Sequence, residues 1–433
     1  MKILPVQIWS GLAALSLLLT ACDGAASTPT LPPPAISTPV APTLPPPAVS
    51  TPTASVTDTP APTAAPTAIP IYGPDSYPEN INPLTGQAVE PAQINRIPIA
   101  VKITNFPVSA RPQFGLSLAD IVVEHIAEAG LTRFTAIFLQ NDAAKVGAIR
   151  SARFIDAEVS PMFQAALVTS GSSFGTMDKL RRSPWFVEGL WRLVSEESAY
   201  NCPPLCRETP NDINTLFINT EAVRQVLTTK TTQGLGRPAL NGLAFSATTP
   251  SGTPITELYI RFSKSAQVSW RYNAESGRYN RWQEKEPEGE LVLHSDALTN
   301  VPITTANIVL LQANHVNNFV PEDFRDGGNC GVEIQIWTSG PARVFRDGQM
   351  IEGRWVRDDS TGLRLRLFDN AGNPIALKPG NTWIDFVTLN AELENTAPTF
   401  KVTNKVPDTQ SVCPVPPTEA PTPDPNATPT IAP

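Results

Sequence analysis

The sequence predicts an α+β protein: an N-terminal α/β domain followed by an antiparallel β-rich domain, framed by disordered proline-rich tails. Three observations predict it. The 433-residue chain is 41% hydrophobic and 17% charged, as globular proteins are, yet its 46 prolines crowd toward the two ends. Between about residues 80 and 245 short apolar runs alternate with stretches of helical spacing. From about 255 to 403 almost every segment alternates apolar with polar residues, as strands do.

The chain opens "MKILPVQIWSGLAALSLLLTAC": one lysine, an apolar run too short to span a bilayer, then small residues ending at Cys22. This is the pattern of a secretory signal peptide, assigned to residues 1–21. "LTAC" resembles a bacterial lipobox, which implies cleavage before Cys22 and diacylglycerol on its thiol. Two or three acyl chains hold a protein stably at a bilayer, where one holds it only marginally. No other run of 18 apolar residues exists. Cys22 is therefore expected as the lipidation site and the anchor, with the protein on the extracytoplasmic face of the cell membrane. An uncleaved anchor or a plain secreted protein would equally be exported.

Residues 22–78 form the stalk. Residues 23–70 contain 14 prolines, with Asp23 and Asp58 as the sole charges and a near repeat, "TLPPPAISTP" then "TLPPPAVSTP". Such a segment cannot bury a core, and its prolines favour an extended spacer of about 3 Å per residue, with a reach on the order of 100 Å. The proline triplets could also serve as peptide ligands. The tail, residues 406–433, shares this composition, with 8 prolines among the 20 residues from Pro414.

Residues 79–250 are assigned to the α/β domain. "IPIAVKI" and "TRFTAIFLQ" read as strands, while "SARFIDAEVSPMFQAAL" and "NTEAVRQVLTT" read as helices, the second capped by Asn219 or Thr220. Residues 251–405 are assigned to the β-rich domain. "VEIQIW" sets Val332, Ile334 and Ile336 on one face, and "LRLRLF" does the same with Leu363, Leu365 and Leu367. Asp347-Gly348 is a hairpin turn.

Four cysteines follow Cys22, and an exported chain favours disulfides among them, with three pairings open. Cys202 with Cys206, across "CPPLC", and Cys330 with Cys413 are the assigned partners. No metal site is expected, because the cysteine spacing lacks a second pair and only His125, His294 and His315 exist. A net charge of −8 argues against nucleic acid as a partner, since that binding needs Lys and Arg to neutralise phosphates. No cofactor is indicated.

Several stretches carry a family resemblance. "NPLTG" at 82–86, "ARPQFGLSLADIVVE" at 110–124, "AGLTRFTAIF" at 129–138 and "VGAIRSAR" at 146–153 resemble the YerB-like family of bacterial lipoproteins. "ARVFRDGQMIEGRWVR" and "IALKPGNTWIDFV" resemble its β domain. The resemblance implies a membrane-anchored lipoprotein of two domains without assigned function, and it supplies no catalytic residues.

The polar residues inside these stretches are Asn105, Arg111, Gln113, Asp120, Glu124, Arg133, Arg150, Ser151 and Arg153. Arginine among apolar residues needs a carboxylate or a bound anion, because an unpaired buried charge is very costly. One reading makes these residues internal ion pairs, with Asp120 and Glu124 as acidic partners. The other makes Arg111, Arg133, Arg150, Ser151 and Arg153 an anion site, Ser151 capping a helix whose amides add to it.

Two enzyme readings stand beside these. "GSSFG", Gly171 to Gly175, matches the nucleophile-elbow pattern with Ser173, though its base would have to be His294 or His315. The layout of an Asp-led strand followed by arginines is similar to envelope phosphotransferases, which would place a polyprenyl pyrophosphate at Arg111, Arg133, Arg150 and Arg153. Trp270, Trp282, Trp337, Trp355 and Trp383 are either core or a carbohydrate platform. The resulting expectation is a binding or scaffolding component of the cell envelope, with a cell-wall ligand or an envelope protein as partner. Its rival is an envelope enzyme acting on an anionic cell-wall or lipid-phosphate substrate.

Overall fold

A computed structural model describes residues 71–196, 202–230, 238–322, 329–359, 363–407 and 413. The leader, Cys22, nearly all of the stalk and the tail beyond Cys413 lie outside these residues. Among the described residues no helix is long and apolar enough to cross a membrane.

The first region builds five strands into a sheet: Ile99–Thr104 (β1), Ile121–Ile126 (β2), Thr132–Phe138 (β3), Ala166–Thr169 (β4) and Leu193–Ser195 (β5). Every residue of β1 and β2 is buried, so they read as apolar runs broken only by Lys102, Glu124 and His125. The helix expected from Ser151 onward is shorter, Asp156–Met162 (α1). Pro161 lacks the N–H a longer helix needs, and the apolar run beyond it becomes β4, parallel to β1. Ile155, not Ser151, stands at the cap position. Phe174–Arg182 (α2) is capped by Ser173, whose Oγ accepts from the Thr176 N–H at 3.2 Å. Thr220–Lys230 (α3) starts as predicted, Asn219 Oδ1 accepting from the Glu221 and Ala222 N–H groups.

The second region supplies Glu257–Arg261 (β6), Gln267–Asn273 (β7), Arg278–Glu284 (β8), Leu291–Leu293 (β9), Asn307–Pro321 (β10), Cys330–Gln335 (β11), Ser339–Arg346 (β12), Gln349–Val356 (β13), Arg366–Asp369 (β14), Thr382–Thr388 (β15), Glu392–Thr396 (β16) and Thr399–Thr403 (β17). Asp347 and Gly348 both have positive φ, 52° and 71°, and join β12 to β13 directly opposite Arg346 and Gln349, as a type I′ turn requires. Val332, Ile334 and Ile336 are buried as predicted. Leu365 and Leu367 are buried too, but Leu363 is exposed with φ 58°, and the strand starts only at Arg366.

These strands do not keep to their own region. The large sheet runs β13-β12-β10-β15-β2-β3-β1-β4-β5, with β11 beside β10 and β14 beside β13. Its seam is the parallel pair β2 and β15, Ile121 opposite Thr382 through Glu124 opposite Asp385. A β-rich second region that is purely antiparallel was expected; β15 instead pairs in parallel with both β2 and β10. Alternation reports which face a residue takes and is silent about strand direction. The second sheet, β9-β8-β7-β6-β17-β16, covers one face of the first. Trp270 of β7 packs edge-on against Trp383 of β15 at 5.1 Å, and Trp383 against Phe134 of β3 at 5.3 Å. Trp270, Trp355 and Trp383 are fully buried, so they are core and not a carbohydrate platform; only Trp337 is much exposed.

Candidate functional site

Because successive residues of a strand point to opposite faces, the centre of the large sheet carries charged groups on both sides. On the face toward α1, Lys102 of β1 lies opposite Thr135 of β3, and Arg133 lies between Thr104 and His125. On the other face Glu124 of β2 lies beside Asp385 of β15.

Toward α1, Lys102 Nζ donates to Asp156 Oδ1 at 2.9 Å, to Thr135 Oγ1 at 3.1 Å and to His125 Nε2 at 2.6 Å. His125 accordingly keeps its proton on Nδ1, which donates to the Ile126 carbonyl. Burial first, and the neighbouring ammonium second, hold the imidazole well below its ordinary range. Burial likewise pushes Lys102 down to about 8, against the pull of Asp156.

Next to this set stand the arginines. Glu128, on a turn before β3, receives Arg153 Nε on Oε2 at 2.5 Å, and its Oε1 takes both Arg153 Nη2 and Arg133 Nη2, the latter at 2.8 Å. Burial alone would raise the Glu128 pKa, but Arg133 and Arg153 override it and hold the carboxyl well below the usual range. Burial, then Arg153, pushes Arg133 down to about 10. A second carboxylate, Glu322 at the end of β10, stands 3.6 Å from Arg153 Nη1 and accepts from Thr176 Oγ1 at 2.5 Å. Burial raises its pKa. Arg150 is different. It reaches only Thr104 Oγ1 at 3.3 Å and the Phe106 carbonyl at 3.4 Å, and among the described residues it has no ion-pair partner. Two guanidinium groups thus share the Glu128 carboxylate, and a third, Arg150, stands without an ion-pair partner among the described residues and is partly open to solvent.

The predicted residues divide. Arg133, Arg150 and Arg153 come together, and the Ser151 carbonyl accepts from Arg133 Nη1 at 2.8 Å, so Ser151 contributes its backbone and not a cap. Arg111 turns away to the second sheet, where Nη2 meets Glu284 Oε1 at 2.6 Å. Asp120 accepts from Asn82 Nδ2 and the Leu139 N–H, and so is no partner of the cluster. Glu124 pairs with Arg281 of β8 at 2.7 Å. Sequence reasoning missed Glu128, Glu322, Lys102 and Arg281. The one local signal was Glu128, five residues before Arg133.

On the sealed face, Arg281 also donates to His294 Nδ1 at 2.9 Å, and His294 Nε2 donates to Gln113 Oε1 at 2.8 Å. Asp385 is fully buried with neither carboxylate oxygen hydrogen-bonded, and burial, reinforced by Glu124, raises its pKa well above the ordinary value. His294 is thus engaged, and His315 Nδ1 donates to the Ala313 carbonyl; the hydroxyl of Ser173 serves its helix cap. Cys202 and Cys206 are disulfide-bonded, while Cys330, which is buried, and Cys413 are free thiols. Burial, then Cys330, pushes the Cys413 thiol up to about 12.

A two-layer strand-rich protein with this arrangement falls in a family of unknown function. Residues 84–233 match the N-terminal domain, and 258–384 the C-terminal domain, of the protein family of unknown function DUF3048. The chain belongs to this two-domain family. It is 28% identical over 328 residues to the Bacillus subtilis (strain 168) protein named "Putative lipoprotein YerB", a match covering 72% of this chain and 88% of that one. It is also similar to the crystal structure of the YerB protein from Bacillus subtilis, with TM-score 0.57 and 26% identity, covering 71% of this chain and 96% of that one.

Proposed function

We propose that this protein is an extracytoplasmic lipoprotein, held to the membrane through Cys22, whose Arg133, Arg150 and Arg153 cluster binds an anionic group of a cell-envelope ligand. The observation that carries this reading is the surplus of guanidinium over carboxylate at Glu128, with Arg150 left to two weak hydrogen bonds. A bound phosphate or carboxylate would supply the missing counter-charge with a geometry that arginine matches. The leader and stalk, together with the name borne by the Bacillus relative, support the location.

Binding or scaffolding is favoured over catalysis. Lys102, His125 and Asp156 are bonded to one another and sealed from solvent, whereas acid–base catalysis needs a group within reach of substrate. The test is thermal unfolding of the full chain against inorganic phosphate, pyrophosphate and muropeptides. A ligand of the folded state raises the midpoint in a concentration-dependent way. The expected result is such a rise in the native chain and its loss in Arg150→Ala. An equal rise in both proteins, or none in the native chain, would overturn the reading.

A further inference from the structure

On α2, Thr176 and Leu180 face inward, while Phe174 stands outward and is 88% exposed. Residues four and seven along a helix share a face, so Asp178 and Arg181 fall in line with Phe174, and all three are exposed. Val320 of β10 meets the helix at Gly175, where its Cγ1 leaves no room for a Cβ. Phe319, the residue before it, is exposed as well, with φ 56°, a left-handed conformation that bulky residues rarely take. The two phenylalanines thus flank one helix–strand contact, and neither ring joins the core. Just past the helix Val187 and Leu190 are exposed, and the Arg192 guanidinium lies 3.8 Å from the ring centre of Trp185 and 5.2 Å from that of Trp191. An apolar surface of this kind, on a helix that ends in cations, calls for something to cover it.

Charge says what. Within residues 174–192, Lys179, Arg181, Arg182 and Arg192 outnumber Asp178 and Glu188, although the whole chain carries a net charge of −8. Glu333 holds Lys179 at 2.7 Å, and Asp178 and Glu188 reach Arg182 and Arg192, which leaves Arg181 with no ion-pair partner among the described residues. Aromatic rings settle at the headgroup level of a bilayer, and each arginine near an anionic surface adds to the attraction. We propose that the face centred on Phe174 and Arg181 is a membrane-docking surface, which lays the folded part of the chain on the anionic bilayer that holds Cys22. The inference rests on the lipoprotein reading proposed above. The stalk sets an upper bound on the distance from the bilayer and no lower one, and tethering keeps the local concentration of lipid high, so a weak surface suffices. Thr176, on the inner side of the same helix, bonds Glu322, the acidic neighbour of Arg153, so docking through α2 would also bring the arginine cluster close to the bilayer.

The test uses the chain without its leader, residues 22–433 with Cys22→Ser, so that no acyl chain contributes. Binding is read by cosedimentation with vesicles of phosphatidylglycerol and, separately, of phosphatidylcholine. Binding to phosphatidylglycerol is expected, with phosphatidylcholine weaker, a loss of about tenfold in Phe174→Ser and of about fivefold in Arg181→Gln. Both side chains are exposed, so the unfolding midpoints of the variants should match that of the parent chain and folding does not confuse the result. No binding to phosphatidylglycerol, equal binding to both lipids, or variants that bind as the parent does would overturn the proposal. So would a dimer in solution that Phe174→Ser dissolves, which would give the face to a second copy. Acylation is read apart from this, by mass, on the native chain taken from cells. Vesicle binding as expected beside an unmodified Cys22 would count against the anchor and support the docking surface, while an acylated Cys22 with no vesicle binding would do the reverse.

Discussion

The two charged clusters on opposite faces of the central sheet are unbalanced in opposite senses. Around Glu128 the arginines outnumber the firmly ionised carboxylates, and Arg150 is partly open to solvent. Around Arg281 the carboxylates Glu124 and Asp385 outnumber the cation, and both are fully buried. A surplus of negative charge in a sealed layer can be removed by a proton, which is why Asp385 is pushed toward its neutral form. A surplus of arginine has no such escape, because guanidinium does not deprotonate in proteins. An arginine-rich cluster that touches solvent is therefore where a ligand can do what a proton cannot.

The comparison breaks most easily at Arg281. Arg281→Ala leaves Glu124 buried without its cation beside Asp385, and about 3–5 kcal/mol of stability should be lost, read from denaturant unfolding. A loss under about 1 kcal/mol would mean that the Arg281–Glu124 pair contributes little net stability. Next comes Glu128→Gln, which strands Arg133 and Arg153. A loss of about 2–4 kcal/mol is expected, and added phosphate should restore more stability to the variant than it adds to the native chain.

A smaller effect sharpens the sealed side. The folded pKa of Asp385 is raised, so its contribution is fully present below the ordinary aspartate value near 3.8 and is lost as pH climbs from there toward the folded value. Asp385→Asn, which cannot ionise, should flatten the fall of the unfolding midpoint between pH 5 and 8. An unchanged slope would assign that pH dependence elsewhere. The smallest change is Arg150→Ala, expected within about 0.5 kcal/mol of the native stability, since it removes only two weak hydrogen bonds. A large loss there would make Arg150 a structural residue like Arg153.

Local chemistry was legible in the sequence where one segment decides it. The alternation of Val332, Ile334 and Ile336, the Asp347-Gly348 turn and the Asn219 cap all depend on neighbours a few residues away. Arg133, Arg150 and Arg153 were picked out, together with Arg111 and Ser151, because arginine among apolar residues needs a counter-charge; the structure brings the first three together and sends Arg111 to Glu284. The partners of those three were not legible. Glu128 sits in an unremarkable "AEAG" turn, and Glu322 lies about 170 residues beyond Arg153; nothing in spacing joins them. Asp385, in "WIDFV", looks like the polar member of a half-exposed strand. Only the second sheet laid over it makes it a buried acid.

The parallel pairing of β2 with β15 also sets an order of events in the life of the chain. The open edge of β2 cannot be closed until residues 382–385 arrive, more than 250 positions later. A chain made from its N-terminus must therefore be almost complete before its central sheet can close, because contacts so distant in sequence come last. Until then the edge of β2 is an unpaired strand exposed to neighbouring chains. The interval before residues 382–385 pair with β2 is therefore the moment of greatest risk from aggregation and proteolysis.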